Sequence, residues 1–393
     1  MAPSQIQDVL HPKQVDPDKS LQSEPPEGQG QADPGAVYVP VQLPSLFVLF
    51  LSGTPDLNPH YNEIKFESEK WLADKCLLDV RARTRLAKTD FSYFCAVATP
   101  KAGREELRTV CDWGNWVFPF DDMFDNGKLR DEPIRAQEVV EVLLADIGMG
   151  ILVGPRVNIS KQVRSGARAD DPLIDVHTSV WRRMVKCGTE ARTPGTQQRF
   201  ANAMRDFCLG SLAQVRNTSL KMCPSVEDML ALRRQSAGVM PIYALIEYAH
   251  HLDIPDAVFE CASIKEIQRI GVDLVLIQND ILSYCKEETE SVPHNLVAIT
   301  RYTSPGLKAQ SAFDRVSAML NDRYRDWYLA LSELPSWGEA IDAQVQEYVE
   351  GVRAVVRANL GWSFRSKRYF GDNADEVRRT GTVMVRRELK WQW

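Results

Sequence analysis

Residues 279–288 read N-D-I-L-S-Y-C-K-E-E, and this run decides how the rest of the chain is understood. Asn279, Ser283 and Glu287 stand four residues apart. On an α-helix, positions i, i+4 and i+8 fall along one face, so an amide carbonyl, a hydroxyl and a carboxylate point the same way. Oxygen donors of these kinds suit one hard divalent cation. Magnesium fits best, because it keeps waters that a substrate phosphate can replace. A solvated helix face carries polar residues at the same spacing, and for this run alone that is the simpler reading.

A second oxygen-rich cluster lies 158 residues upstream, in W-V-F-P-F-D-D-M-F-D-N-G at 116–127. Asp121 and Asp125 share a helix face, and Asp122 lies about 100° away around it. Trp113, Trp116, Val117, Phe118 and Phe120 precede them. Carboxylates at the end of an aromatic helix resist burial unless paired or bound to metal. Asn126-Gly127 also reads as a helix stop, so a frayed, solvated end is the competing account. A lone D-D-x-x-D is a weak signal; two oxygen clusters in one chain are far more specific.

With both motifs in view, the chain resembles the class I terpene synthases of the fungal sesquiterpene cyclase type. These proteins carry D-D-x-x-D and, downstream, N-D-x-x-S-x-x-K-E, and both stand here without departure. The family's late Arg-Tyr pair matches Arg368-Tyr369, 81 residues after Glu287, with Trp362 six residues before the arginine. Its diphosphate-sensing arginine matches Arg233, 46 residues before Asn279, although Arg234 is adjacent. The run His294-Asn295-Leu296-Val297 is also family-like. The resemblance covers Val37 to Phe370, and residues 112–127 further resemble the presilphiperfolanol synthase-like branch.

The resemblance implies an all-α fold, a single-domain helical bundle around a central cavity. It also implies a substrate, farnesyl diphosphate, and a cofactor, Mg2+, as three ions. Asp121 and Asp125 would hold two ions, and Asn279, Ser283 and Glu287 the third. Asp122 would bond a neighbouring cation. Arg233, Lys286, Arg368 and the Tyr369 hydroxyl would donate to the diphosphate; Asp121, Arg233, Arg368 and Tyr369 are the expected catalytic group. Phe118, three residues before Asp121, and Trp362 would line the apolar pocket, where aromatic faces stabilise a cation. Trp113 and Trp116 read as plain core, and Arg368 sits in a local basic patch with Arg365 and Lys367. The implied product is a cyclic or polycyclic sesquiterpene hydrocarbon or alcohol. A chain-elongating prenyl transferase would carry a second D-D-x-x-D in place of the downstream motif. A non-catalytic isoprenoid diphosphate-binding protein is the other alternative.

Bulk properties agree with an ordinary globular enzyme. The 393 residues are 44% hydrophobic, enough for a sizeable core. A net charge of −6 argues against nucleic acid, which needs clustered cations. Eight cysteines lack a C-x-x-C pair, which disfavours zinc and suits a reducing, cytoplasmic setting. The first residues lack the apolar segment of a secretory signal. The apolar run Leu46 to Leu51 is far too short for a bilayer, so no stable membrane insertion is expected.

Residues 1–36 are rich in Pro, Gln, Gly and acidic residues and read as a disordered tail; residues 37–393 read as the catalytic domain. V-Y-V-P-V-Q-L-P-S-L-F is extended by its prolines and should cross the outside. Helical spacing appears near 60–77, 87–97, 103–125, 131–150, 174–187, 194–217, 225–240, 241–252, 263–286, 289–302, 306–331 and 336–360. Residues 153–172 read as a loop, and little sheet is expected.

Overall fold

The apolar spacing of the chain becomes a bundle of helices in the computed structural model, which describes residues 35–149, 172–188 and 194–389. Nearly all of the expected tail at 1–36 and of the expected loop at 153–172 lie outside the described residues. The helices are α1 (Tyr61–Lys75), α2 (Val80–Thr89), α3 (Phe91–Ala98), α4 (Arg104–Asp125), α5 (Pro133–Asp146), α6 (Pro172–Gly188) and α7 (Pro194–Leu220). Then follow α8 (Val226–Ser236), α9 (Val239–Ala249), α10 (Asp256–Phe259), α11 (Ala262–Glu290), α12 (Leu296–Tyr302), α13 (Ala309–Ser332), α14 (Glu339–Arg365) and α15 (Ala374–Thr380). Sheet is confined, among the described residues, to one antiparallel pair, β1 (Tyr38–Gln42) and β2 (Thr382–Arg386), with Tyr38 opposite Arg386 and Gln42 opposite Thr382. The proline-extended segment near the start is thus a strand that a late strand completes.

Two long helices organise the bundle. The α11 helix packs against α13 and α14, and α4 packs against α1, α3, α6 and α7. Fully buried Trp113, Trp116, Trp327 and Trp362 anchor the core. No described helix is long and apolar enough to cross a membrane.

Helix boundaries depart from the sequence expectation where side chains intervene. The helix expected at 87–97 is two helices, broken at Asp90, whose φ of 49° is left-handed. Its carboxylate repays the strain by binding Tyr61 Oη at 2.7 Å, Lys65 Nζ at 2.9 Å and Arg365 Nε at 3.1 Å. The helix expected at 289–302 begins only at Leu296. α11 runs on to Glu290, Ser291 turns left-handed, and Asn295 caps α12 by accepting from Val297 N and Ala298 N. The break expected after residue 240 comes earlier, at Gly238, whose φ of 67° suits glycine. The short α15 and β2 near the end of the chain carried too few residues for periodicity to reveal them.

Candidate active site

Side chains spaced by four on α4 and α11 meet across one cavity. Trp113, Val117, Asp121 and Asp125 descend one face of α4, and Val275, Asn279 and Glu287 face them from α11. The space between measures about 920 Å³ with its open mouth included. Ser283 is fully buried behind this lining, and its hydroxyl has no hydrogen-bond partner. Nearby helical hydroxyls behave differently: Thr289 donates to the carbonyl of Cys285 at 2.9 Å. A buried hydroxyl left unbonded asks for an explanation, and an external ligand is one.

The remaining oxygen donors are held but not saturated. Asn279 Oδ1 accepts from Arg233 at 3.2 Å while its amide donates to Tyr369 Oη at 2.7 Å. Glu287 Oε2 accepts from Asn295 at 2.8 Å, and Asp125 Oδ1 accepts from Gln214 at 2.9 Å. Burial, and then the neighbouring Asp125 and Asp122 charges, push the Asp121 carboxyl well above its usual range. Burial likewise lifts Asp125 to about 6, although Arg233 opposes the shift. Such crowding of half-bonded oxygens suits a hard cation. No three His, Cys, Asp or Glu side chains among the described residues converge on one point; the donors form two half-sites instead.

Cations frame the mouth. Arg233 binds Asp280 Oδ1 through Nη2 at 2.7 Å, and its guanidinium keeps its proton against burial through Asp280 and Glu287. Arg368 donates to Asp122 at 2.8 Å and lies 4.7 Å above the Phe118 ring. Lys286 is occupied by Glu290 at 2.5 Å, and Asn126 donates to the same carboxylate at 3.0 Å. Glu290 therefore ties the end of α11 to the end of α4.

Below the mouth the lining is aromatic. Phe118 stacks on Trp362 with centroids 5.2 Å apart, and Phe91 meets both edge-on at 4.5 and 5.3 Å. Trp362 is fixed by its indole N–H, which donates to Thr89 O at 2.7 Å. The helix break at Ser236–Gly238 also enters the lining. Gly210 on α7 lets it come close, since a Cβ there would meet Ser236 N at 2.6 Å.

Residues 112–326 match a family model described as terpene synthase family 2, C-terminal metal binding. A silphinene synthase of Penicillium patulum is 39% identical over 344 residues, which is 87% of this chain and 89% of that protein. The chain belongs to the terpene synthase family. A terpene cyclase of Gibberella fujikuroi is 33% identical over 92% of this chain and 98% of its own length. Among solved structures, an α-eudesmol synthase superposes with a TM-score of 0.65 at 19% identity, over 80% of this chain and 97% of that one. A linalool/nerolidol synthase from Streptomyces clavuligerus, in complex with 2-fluorogeranyl diphosphate, gives 0.65 at 19%, over 82% and 100%. These two likenesses establish the all-α class I fold.

In this terpene synthase, Asp121, Asp125, Asn279, Glu287, Arg233, Lys286, Arg368, Tyr369, Phe118 and Trp362 all line one cavity, with Ser283 just behind. Sequence reasoning left out Phe91 and Phe94, which sit on a helix apolar nearly all round and so carry no facing signal. It also read Trp113 as plain core; Trp113 is buried in the core and lines the cavity as well. The signal was present, because Trp113 lies eight residues before Asp121, two helical turns up the same face. Trp116 is core, stacked on Phe120 at 4.6 Å.

Proposed function

We propose that the chain is a magnesium-dependent sesquiterpene cyclase. It ionises farnesyl diphosphate and closes the allylic cation to a cyclic or polycyclic hydrocarbon or alcohol, with release of diphosphate. The observation that carries this reading is a single cavity with oxygen donors on two facing walls and aromatic rings beneath them. Asp121 and Asp125 on one wall, and Asn279, Ser283 and Glu287 on the other, would hold the ions, three by family resemblance. When bound, magnesium supplies Lewis-acid stabilisation of the departing diphosphate.

The chain's own groups do the rest. Arg233 and Arg368 offer planar forks that grip two oxygens and never lose their charge, and Tyr369 adds a hydroxyl. Lys286, bound to Glu290 through one of its three donors, adds an ammonium at the same mouth. Phe118, Trp362 and Phe91 present ring faces and edges to the apolar chain, where a cation–π contact gains strength as water is excluded. The likeness to a terpene cyclase supports ring closure. The linalool/nerolidol synthase solved with 2-fluorogeranyl diphosphate supports an isoprenoid diphosphate as ligand. Free cysteines throughout the described residues support a reducing, cytoplasmic setting.

The test is turnover of ten-, fifteen- and twenty-carbon prenyl diphosphates by the purified chain. Cyclic products with the highest kcat/KM at fifteen carbons are expected. A higher value at twenty carbons overturns the substrate, and linear alcohols alone overturn the cyclase.

A further inference from the structure

Outside the metal-side cavity, and sharing a wall with it, lies an open cleft of about 1970 Å³ including its mouth. Asp122, Asn126, Lys286, Glu290 and Arg368 line both spaces, so the two adjoin across the end of α4. The far wall of the cleft is α2, a helix unlike any other in the lining. Its residues Arg81, Thr84, Arg85 and Lys88 follow i, i+3, i+4, i+7 spacing and all face the cleft. Six cationic side chains line this space, Arg81, Arg85, Lys88, Lys286, Lys367 and Arg368, against two carboxylates, Asp122 and Glu290. That is a strong local excess of positive charge on a chain whose net charge is −6.

The pairing within the cleft is uneven. Lys286 is held by Glu290, Arg368 by Asp122, and Lys367 by Asp372. Arg81 and Arg85 are exposed and make no ion pair among the described residues; Lys88 is exposed too, and shares the charge of Asp372 with Lys367 without a direct salt bridge of its own. A solvated helix face would ordinarily intersperse carboxylates with such cations. Here the flanking acidic residues are both spent: Asp79 caps the helix, accepting from Ala82 N at 2.7 Å, and Asp90 is held by Tyr61, Lys65 and Arg365. Unpaired like charges on one wall of a cleft repel one another and concentrate polyanions.

We propose that this cleft is a second diphosphate-binding site, independent of metal, through which the charged head group enters and the released diphosphate leaves. The class of ligand rests on the function proposed above. The site itself rests on the unpaired α2 cations and on the wall shared with the metal-side cavity. A diphosphate leaving the metal-side donors passes Arg368 and Lys286, each of which can exchange a carboxylate for a phosphate oxygen. It then meets Arg81 and Arg85, which have no carboxylate to give up, and Lys88, which only shares Asp372 with Lys367. The same chemistry would take an anionic lipid headgroup; the wall that the cleft shares with the catalytic cavity favours the free diphosphate.

The experiment is calorimetric titration of the full chain with inorganic diphosphate, at low salt and in excess chelator. One diphosphate per chain is expected to bind. The triple substitution Arg81→Gln, Arg85→Gln, Lys88→Gln should weaken it by about tenfold or more. The helical circular dichroism should be unchanged, because all three side chains are exposed. Arg233→Gln, which alters the metal-side cavity alone, should leave the binding in place. Absence of binding in chelator, or a triple variant that binds like the parent, overturns the proposal. So does sedimentation of the chain with phosphatidic acid vesicles in place of diphosphate binding. The measurement needs neither magnesium nor turnover, so it stands or falls separately from the catalytic reading.

Discussion

Asp273 and Asp280 lie two turns apart on α11, both fully buried, and they are treated in opposite ways. Asp273 is saturated. Arg234 meets it at 2.6 and 2.8 Å, Arg269 at 2.8 Å and Arg323 at 2.7 Å. Asp280 takes one arginine, Arg233, and the backbone N–H of Leu296 at 2.7 Å. Around it, Ser283 leaves its hydroxyl without a partner, and Asn279 and Glu287 each accept from one donor only. One helix thus carries a finished polar network at its middle and an unfinished one at its end. Buried oxygens are costly to leave unmet, so an unfinished network implies a ligand that completes it. The adjacent arginines divide along the same line, Arg234 serving the finished network and Arg233 the unfinished one.

The comparison breaks most sharply at the unfinished end. Asn279→Ala or Glu287→Ala should lower kcat/KM on farnesyl diphosphate by on the order of a thousandfold or more, the several kcal/mol that charge stabilisation supplies. The unfolding midpoint in urea should stay near that of the parent. Turnover close to the parent's would make the open oxygens irrelevant.

At the finished end the effect should move from activity to stability. Asp273→Ala strands three arginines, whose side chains are 30%, 31% and 19% exposed and can partly turn to water. A loss of about 3 kcal/mol is expected, the low end for a broken buried pair. Chemical denaturation measures it, and a change below about 1 kcal/mol would mean the network is decoration.

The two arginines sharpen the contrast at finer scale. Arg233→Gln should cost roughly a hundredfold in kcat/KM, the effect of one charged hydrogen-bonding group. Arg234→Gln should leave kcat/KM nearly intact and lower the thermal midpoint. Equal behaviour of the two variants in both assays would erase the distinction. The smallest effect belongs to Tyr369→Phe, which removes the acceptor of the Asn279 amide and costs about 1 kcal/mol. Its clearer mark should be a larger share of linear by-products by gas chromatography; an unchanged product profile would mean that the Tyr369 hydroxyl does not shape the reaction.

Much of this site was legible because helix geometry turns spacing into facing. Spacing by four placed Asn279, Ser283 and Glu287 on one side of α11 and Asp121 with Asp125 on one side of α4. The same rule carried to Trp113 would have found the aromatic ring above them. Phe91 and Phe94 were not legible, since a helix buried on all sides gives no hint of which face meets the cavity. The uneven treatment of Asp273 and Asp280 was also hidden, because it depends on arginines from α8 and α13 that only the fold brings together. The α2 helix was missed for a local reason: none of its residues is buried, so it carries no apolar stripe to read, and its end at Asp90 rests on a left-handed conformation held by three bonded partners.

The most direct test of the central claim, that two unfinished walls become one site when metal and diphosphate fill them, is product analysis with and without metal. Purified chain is incubated with farnesyl diphosphate and magnesium, then with chelator, and the organic extracts are examined by gas chromatography–mass spectrometry. Cyclic fifteen-carbon products that appear with magnesium and vanish with chelator are predicted. Cyclic products that persist in chelator, or none from folded protein with magnesium, would contradict the account.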